Sequence, residues 1–188
     1  NPDSAVHTFC HCIDKTWHQM SVILSAASCL SWVTKLTGYQ DEESLLVDVE
    51  KLDFSIPSSV TFLPYLSGER TPHNNPNAQG VFFGLGHNTD SAELGRAVLE
   101  GIAFAFADGQ QALIAAGTEI DTVSVIGGGS VSKLWGKILA SVLNKPLSYR
   151  QGAEVGPAYG AARLAKLGTS TLNPSDVCLA GEINHVID

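Results

Sequence analysis

Three consecutive glycines, Gly127-Gly128-Gly129, stand between an apolar run at 123–126 and a helical pattern that begins at Val131. A strand-to-helix turn needs one glycine or two; three in a row lose much chain entropy on folding. The spacing therefore points to a ligand lying against the backbone, with a helix N-terminus beside it. The familiar phosphate-loop spacing G-x-x-x-x-G-K-[ST] is absent, and Gly127-x-Gly129 is followed by Ser132 rather than a third spaced glycine. A second small-residue turn, Gly152 to Gly160, opens the next helical pattern. Taken together, the two turns predict a nucleotide-like ligand at the ends of strands.

Two other groups carry chemistry. The loop Ser67-Gly68-Glu69-Arg70-Thr71-Pro72-His73 offers in Arg70 a planar fork of donors suited to phosphate or carboxylate. The alternative is a surface arginine paired with Glu69 or Glu100. Near the N-terminus, His7, Cys10, His11, Cys12 and His18 look like metal ligands. On a strand, however, His7, Phe9 and His11 take one face and Cys10 and Cys12 the other. The Cys-x₂₋₄-Cys spacing of tetrahedral zinc sites is missing, so no metal is expected there.

Alternating elements must position these residues. Residues 6–13 and 16–23 read as strands of a hairpin, 25–36 as a helix closed by Gly38, and 41–49 as a second helix. The acidic Asp41-Glu42-Glu43 suits the positive end of that second helix. A short strand at 60–63, a loop over 64–79 and a strand at 81–85 follow. Asp90 and Glu93 form a capping box for a long helix with an apolar stripe at Leu94, Val98, Ile102 and Phe106, ended by Gly117. Residues 123–126 read as a strand covered on both faces, 131–143 as a helix stopped by Asn144 and Pro146, 147–149 as a strand, and 155–167 as a helix. Hairpin strands followed by strand–helix alternation predict an α/β domain with a mixed sheet flanked by helices.

Composition narrows the partners. The chain has 188 residues and a net charge of −8. That length suffices for one full core, and the acidic balance argues against nucleic acid. No apolar run has the length of a membrane span, so no membrane partner is expected. The four cysteines show no secreted-type framework and fit a reducing, cytoplasmic compartment. The first residue is Asn1 rather than Met, as expected of a piece of a longer chain.

The segments 123–147 and 152–165, with Gly80 to Leu85 and Glu93 to Glu100, resemble the C-terminal domain of the FGGY carbohydrate kinases. The loop at 62–85 carries a finer resemblance to one branch of that family. The resemblance implies the ribonuclease-H-like domain of the actin-like ATPase superfamily, with residues 1–188 as the ATP-binding C-terminal domain. ATP and Mg²⁺ would be the cofactors, a small sugar the substrate, and a homodimer a permitted assembly. It implies that Gly127, Gly128 and Gly129 lie against adenosine and that Ser132, in the first helical turn, touches adenine. Ala27 and Ser31 match positions lining the nucleotide pocket; on residue type alone they would be ordinary helix packing. Arg70 is implied near phosphate or in ordering the interdomain cleft. Many relatives have Ala-Arg-Gly where this chain has Ala78-Gln79-Gly80, so any charge from that arginine is missing. The general base and most sugar contacts are expected on an N-terminal domain, so no catalytic residue is assigned here. Another sugar kinase of the family, or a non-catalytic nucleotide-binding module, fits the same residues.

Overall fold

The computed structural model describes residues 4–188, and at Glu154 the backbone alone. Asn1–Asp3, the first residues of the domain expected over 1–188, lie outside the described residues. The chain divides into two compact units. One holds residues up to Phe9 with Trp17–Glu119; the other holds Cys10–Thr16 with Ile120–Asp188.

The first unit begins with β1 (His7–Cys10) paired to β2 (Trp17–Met20). The strands are shorter than the sequence predicts. His11 and Cys12 lie in the turn, where the His11 Nδ1 accepts from the Ile13 amide at 3.0 Å. The His7 and Phe9 rings share a face, 5.8 Å apart, and Phe9 stacks on His18 at 5.7 Å. Cys10 and Cys12 are free and exposed.

α1 (Ala27–Leu36) and α2 (Glu42–Val49) follow, then β3 (Thr61–Leu63) and β4 (Val81–Phe83), an antiparallel pair with Phe62 opposite Phe82. α3 (Ser91–Ala115) is the spine of this unit. Its capping box forms as the sequence predicts: Glu93 N donates to Asp90 Oδ1 at 2.9 Å and Asp90 N to Glu93 Oε2 at 3.1 Å. Val98, Leu99 and Ile102 are fully buried with Leu45, Val49, Val33 and Phe62. Each such side chain contributes about 1.5–3 kcal/mol. The expected stripe fails at its end, because Phe106 is exposed while Ala105, Gly109 and Ala112 are buried. Leu94 to Phe106 spans twelve residues, about a third of a turn past three full turns, so strict fourfold spacing walks off the buried face.

Arg96 is the buried cation of this unit. It donates to Glu100 at 2.7 Å and to the carbonyls of Asp53 and Ile56 at 3.0 and 2.9 Å, and lies 4.4 Å from the Phe54 ring centroid. The guanidinium so ties α3 to the loop after α2.

The second unit contains β5 (Val123–Val125), α4 (Lys133–Leu143), β6 (Leu147–Arg150), α5 (Pro157–Gly168), α6 (Pro174–Val177) and β7 (Ile183–Ile187). β5 and β6 are parallel and β7 is antiparallel to β6, giving the expected mixed sheet. Leu147, Tyr149 and Ala140 form its core, with Val123, Val125, Leu139, Leu143 and Ile187 against them. The strand at 123–126 is covered on one face only, since Ser124 and Ile126 are exposed. α4 ends at Asn144, whose backbone is left-handed. β7 and α6 were not foreseen; the His185 ring stacks on Tyr149 at 4.5 Å.

Candidate functional site

The glycine turn is a 3₁₀ turn, Gly128–Val131, entered through Gly127. Gly127 has φ +86°, a conformation that side chains rarely adopt. Gly129 is required from within: a Cβ there would come 2.9 Å from the Trp135 ring. Trp135 belongs to the first turn of α4 and is buried. Gly128 is different. Its φ is ordinary and nothing in the protein lies within 4 Å of the place a Cβ would take. Packing explains Gly129 and backbone conformation explains Gly127, while Gly128 keeps an exposed space that the protein itself does not use.

The two small-residue turns meet, as Gly127 N donates to Ala153 O at 3.0 Å. The Ser130 hydroxyl closes the first turn onto Gly127 O at 2.7 Å. Ser132 is the N-cap of α4 rather than a residue of its first turn, and its Oγ accepts from Trp135 N at 3.2 Å. That bond uses one lone pair of the hydroxyl in starting the helix and leaves its O–H and second lone pair to other contacts.

In the first unit, Ala27 and Ser31 lie one turn apart on α1. The core-facing residues of that helix are Cys29, Leu30, Val33 and Thr34, while Ala27 is exposed and Ser31 half-buried. Helix packing therefore does not account for Ala27. The Ser31 hydroxyl donates to Glu42 Oε1 at 2.5 Å, which holds the Glu42 carboxyl below its usual value and ties α1 to α2. Cys29 is buried, and desolvation followed by the nearby Glu69 charge pushes its thiol up to about 11, leaving it inert.

Arg70 projects from the loop as an exposed side chain between two buried neighbours, Glu69 and Thr71. Its NH1 donates to His7 Nε2 at 3.3 Å. It makes no ion pair among the described residues; Glu100, one partner considered above, is taken by Arg96. Thr71 is stitched to the chain entering α1: its N donates to Val22 O at 3.0 Å, and Val22 N donates to its Oγ1 at 2.9 Å. Glu69 turns inward to backbone N–H groups instead of pairing with the Arg70 side chain, and the packing of Trp135 on the glycine turn is not predicted by the sequence. The spacing of Trp135, six residues after Gly129, was the available signal for the second.

The C-terminal domain of the FGGY family of carbohydrate kinases matches residues 1–168. The xylulose kinase of Escherichia coli (strain K12) is 53% identical over 169 residues, covering 90% of this chain and 35% of that protein. A crystal structure of a xylulose kinase from Brucella ovis superposes with a TM-score of 0.90 at 46% identity, covering 100% of this chain and 39% of that one. A Plasmodium falciparum glycerol kinase crystallised with ADP gives a TM-score of 0.78 at 26% identity, over 97% of this chain and 37% of that one. The chain thus spans about a third of the length of the curated relatives it matches.

Proposed function

The chain belongs to the FGGY family of carbohydrate kinases, matched across the C-terminal domain, and from that premise we propose that it is the nucleotide-binding part of a kinase that converts D-xylulose to D-xylulose 5-phosphate. The observation that carries the reading is Gly128: an ordinary backbone and no internal neighbour, as also at Gly86, Gly160 and Gly168, but here in a glycine run that leads into α4 and meets the second small-residue turn. A nucleotide laid on the turn would fill the space that a Cβ would take. In the first unit, taken by itself, Ala27 and Ser31 are proposed as small residues suited to a flat ring and Arg70 as a donor to phosphate.

ATP with Mg²⁺ supplies an electrophilic phosphoryl group whose charge is neutralised in transfer. Among the described residues no cluster of His, Cys, Asp or Glu side chains gathers to hold a metal, so none is assigned to Mg²⁺. The general base is assigned to the part of the kinase that this chain does not contain. A cytoplasmic setting is supported by four cysteines that are all free. D-Xylulose as the sugar is supported by the relatives named above and by the loop at 62–85.

The test is ATP-dependent phosphorylation of a panel of ketoses by the full-length protein that carries this domain. The highest kcat/KM is expected for D-xylulose. A higher value for another ketose would overturn the sugar, and turnover of none would overturn the kinase reading.

A further inference from the structure

Glu69 is 1% exposed, and its carboxylate is an unexpected charge to place in a protein interior. Oε1 accepts from the backbone N of Arg70 at 2.7 Å and from the backbone N of Leu24 at 3.1 Å. Oε2 is buried without a hydrogen-bond donor among the described residues. The backbone of Glu69 is bridged to Asn75 in both directions, at 2.9 and 2.8 Å, so the loop between them closes on itself. One oxygen atom thus joins the chain entering α1 to the amide of the residue that displays the exposed guanidinium.

We infer that Glu69 is a positioning residue, fixing the backbone of Arg70 against the entry to α1 so that the guanidinium meets nucleotide phosphate in a set direction. The inference rests on the proposed kinase reading and deepens it by assigning Arg70 its support. The side chain suits the task because a single oxygen reaches both backbone N–H groups, at 2.7 and 3.1 Å. Leu24 N and Arg70 N would each be left without this partner if the side chain were shortened.

A double-mutant cycle in the full-length protein tests this, reading kcat/KM for ATP with D-xylulose saturating, and thermal melting of every variant. Arg70→Ala is expected to lower kcat/KM by about tenfold to a hundredfold, the usual range for losing a charge-assisted contact. Glu69→Ala is expected to produce a loss of similar size through KM, and Glu69→Gln a smaller one, because the carboxamide oxygen still accepts both N–H groups. In the Arg70→Ala background, Glu69→Ala should cost less than about twofold further, while its effect on melting persists. Equal losses from Glu69→Ala in both backgrounds would overturn the inference, as would wild-type KM in a folded Glu69→Ala. Should Glu69→Ala fail to fold, Glu69→Gln takes its place in the cycle, and a loss additive with that of Arg70→Ala overturns the inference. A wild-type protein that phosphorylates no sugar would overturn the kinase reading and the inference with it; an active wild type with additive losses overturns the inference alone.

Discussion

At the residue scale, neighbouring glycines of one turn have different reasons to be glycine. Gly127 is needed for its positive φ, Gly129 for the Trp135 ring against it, and Gly128 for neither. The sequence shows three equal letters, and from it the whole run reads as room for a ligand. What it hides is that a tryptophan six residues on folds back over one of them. Gly129→Val should therefore act on the fold before it acts on binding. Overpacking of this kind costs about 1–3 kcal/mol, and the melting temperature should fall by several degrees. A Gly129→Val protein that melts with the wild type would show that Trp135 yields freely. Ser132 gives the same lesson in reverse: its place after the glycines was legible, but its hydroxyl is engaged as an N-cap by Trp135 N. Arg70 was legible as a donor; the buried carboxylate beside it was not, because nothing in the letters says which member of Glu69-Arg70-Thr71 turns inward.

At the element scale, caps and periodicity were the most readable features. The Asp90–Glu93 box starts α3 as written, and Asn144 stops α4. Strict fourfold spacing overshoots at Phe106, which is exposed, and the apolar run at 123–126 has one exposed face. β7, Ile183-Asn184-His185-Val186-Ile187, lacks strict apolar–polar alternation and gains its place by pairing with β6. Arg96 is the element-scale device with the largest expected energetic weight. Its removal leaves two carbonyls and Glu100 without their donor, so Arg96→Ala should destabilise the protein by about 3 kcal/mol. The check is a lower urea midpoint at unchanged slope; an unchanged midpoint would mean that the loop after α2 is held by other means. α2 offers a pH test. The Ser44 backbone N–H and then its hydroxyl hold the Asp41 carboxyl below its ordinary 3.8. A depressed folded pKa means that the cap contributes in full above the unfolded value and is lost as pH falls through the folded one. An NMR titration of Asp41 should give a midpoint below 3.8, with the Ser44 amide moving in step; a midpoint at or above it would contradict the cap.

At the scale of the whole molecule, the proposed kinase divides labour: this chain would hold the nucleotide over Gly128, and the sugar site and general base would lie in a part of the kinase outside it. The 188-residue chain alone is therefore expected to show no measurable sugar phosphorylation while still binding ATP weakly. Losing a general base costs about 10²–10⁴ in rate, and losing the positioning of the sugar removes up to about 7–11 kcal/mol more of the barrier reduction. Activity within about a hundredfold of the full-length protein would place a base within this chain. The proposal that the space over Gly128 belongs to the nucleotide is checked by D-xylulose-dependent ATP turnover of the full-length protein, wild type beside Gly128→Val, with melting temperatures taken on the same samples. The open surroundings of Gly128 predict a variant that melts with the wild type and loses at least about a hundredfold in kcat/KM for ATP, equivalent to roughly 2.7 kcal/mol. A Gly128→Val protein, folded and with the wild-type KM for ATP, would contradict it.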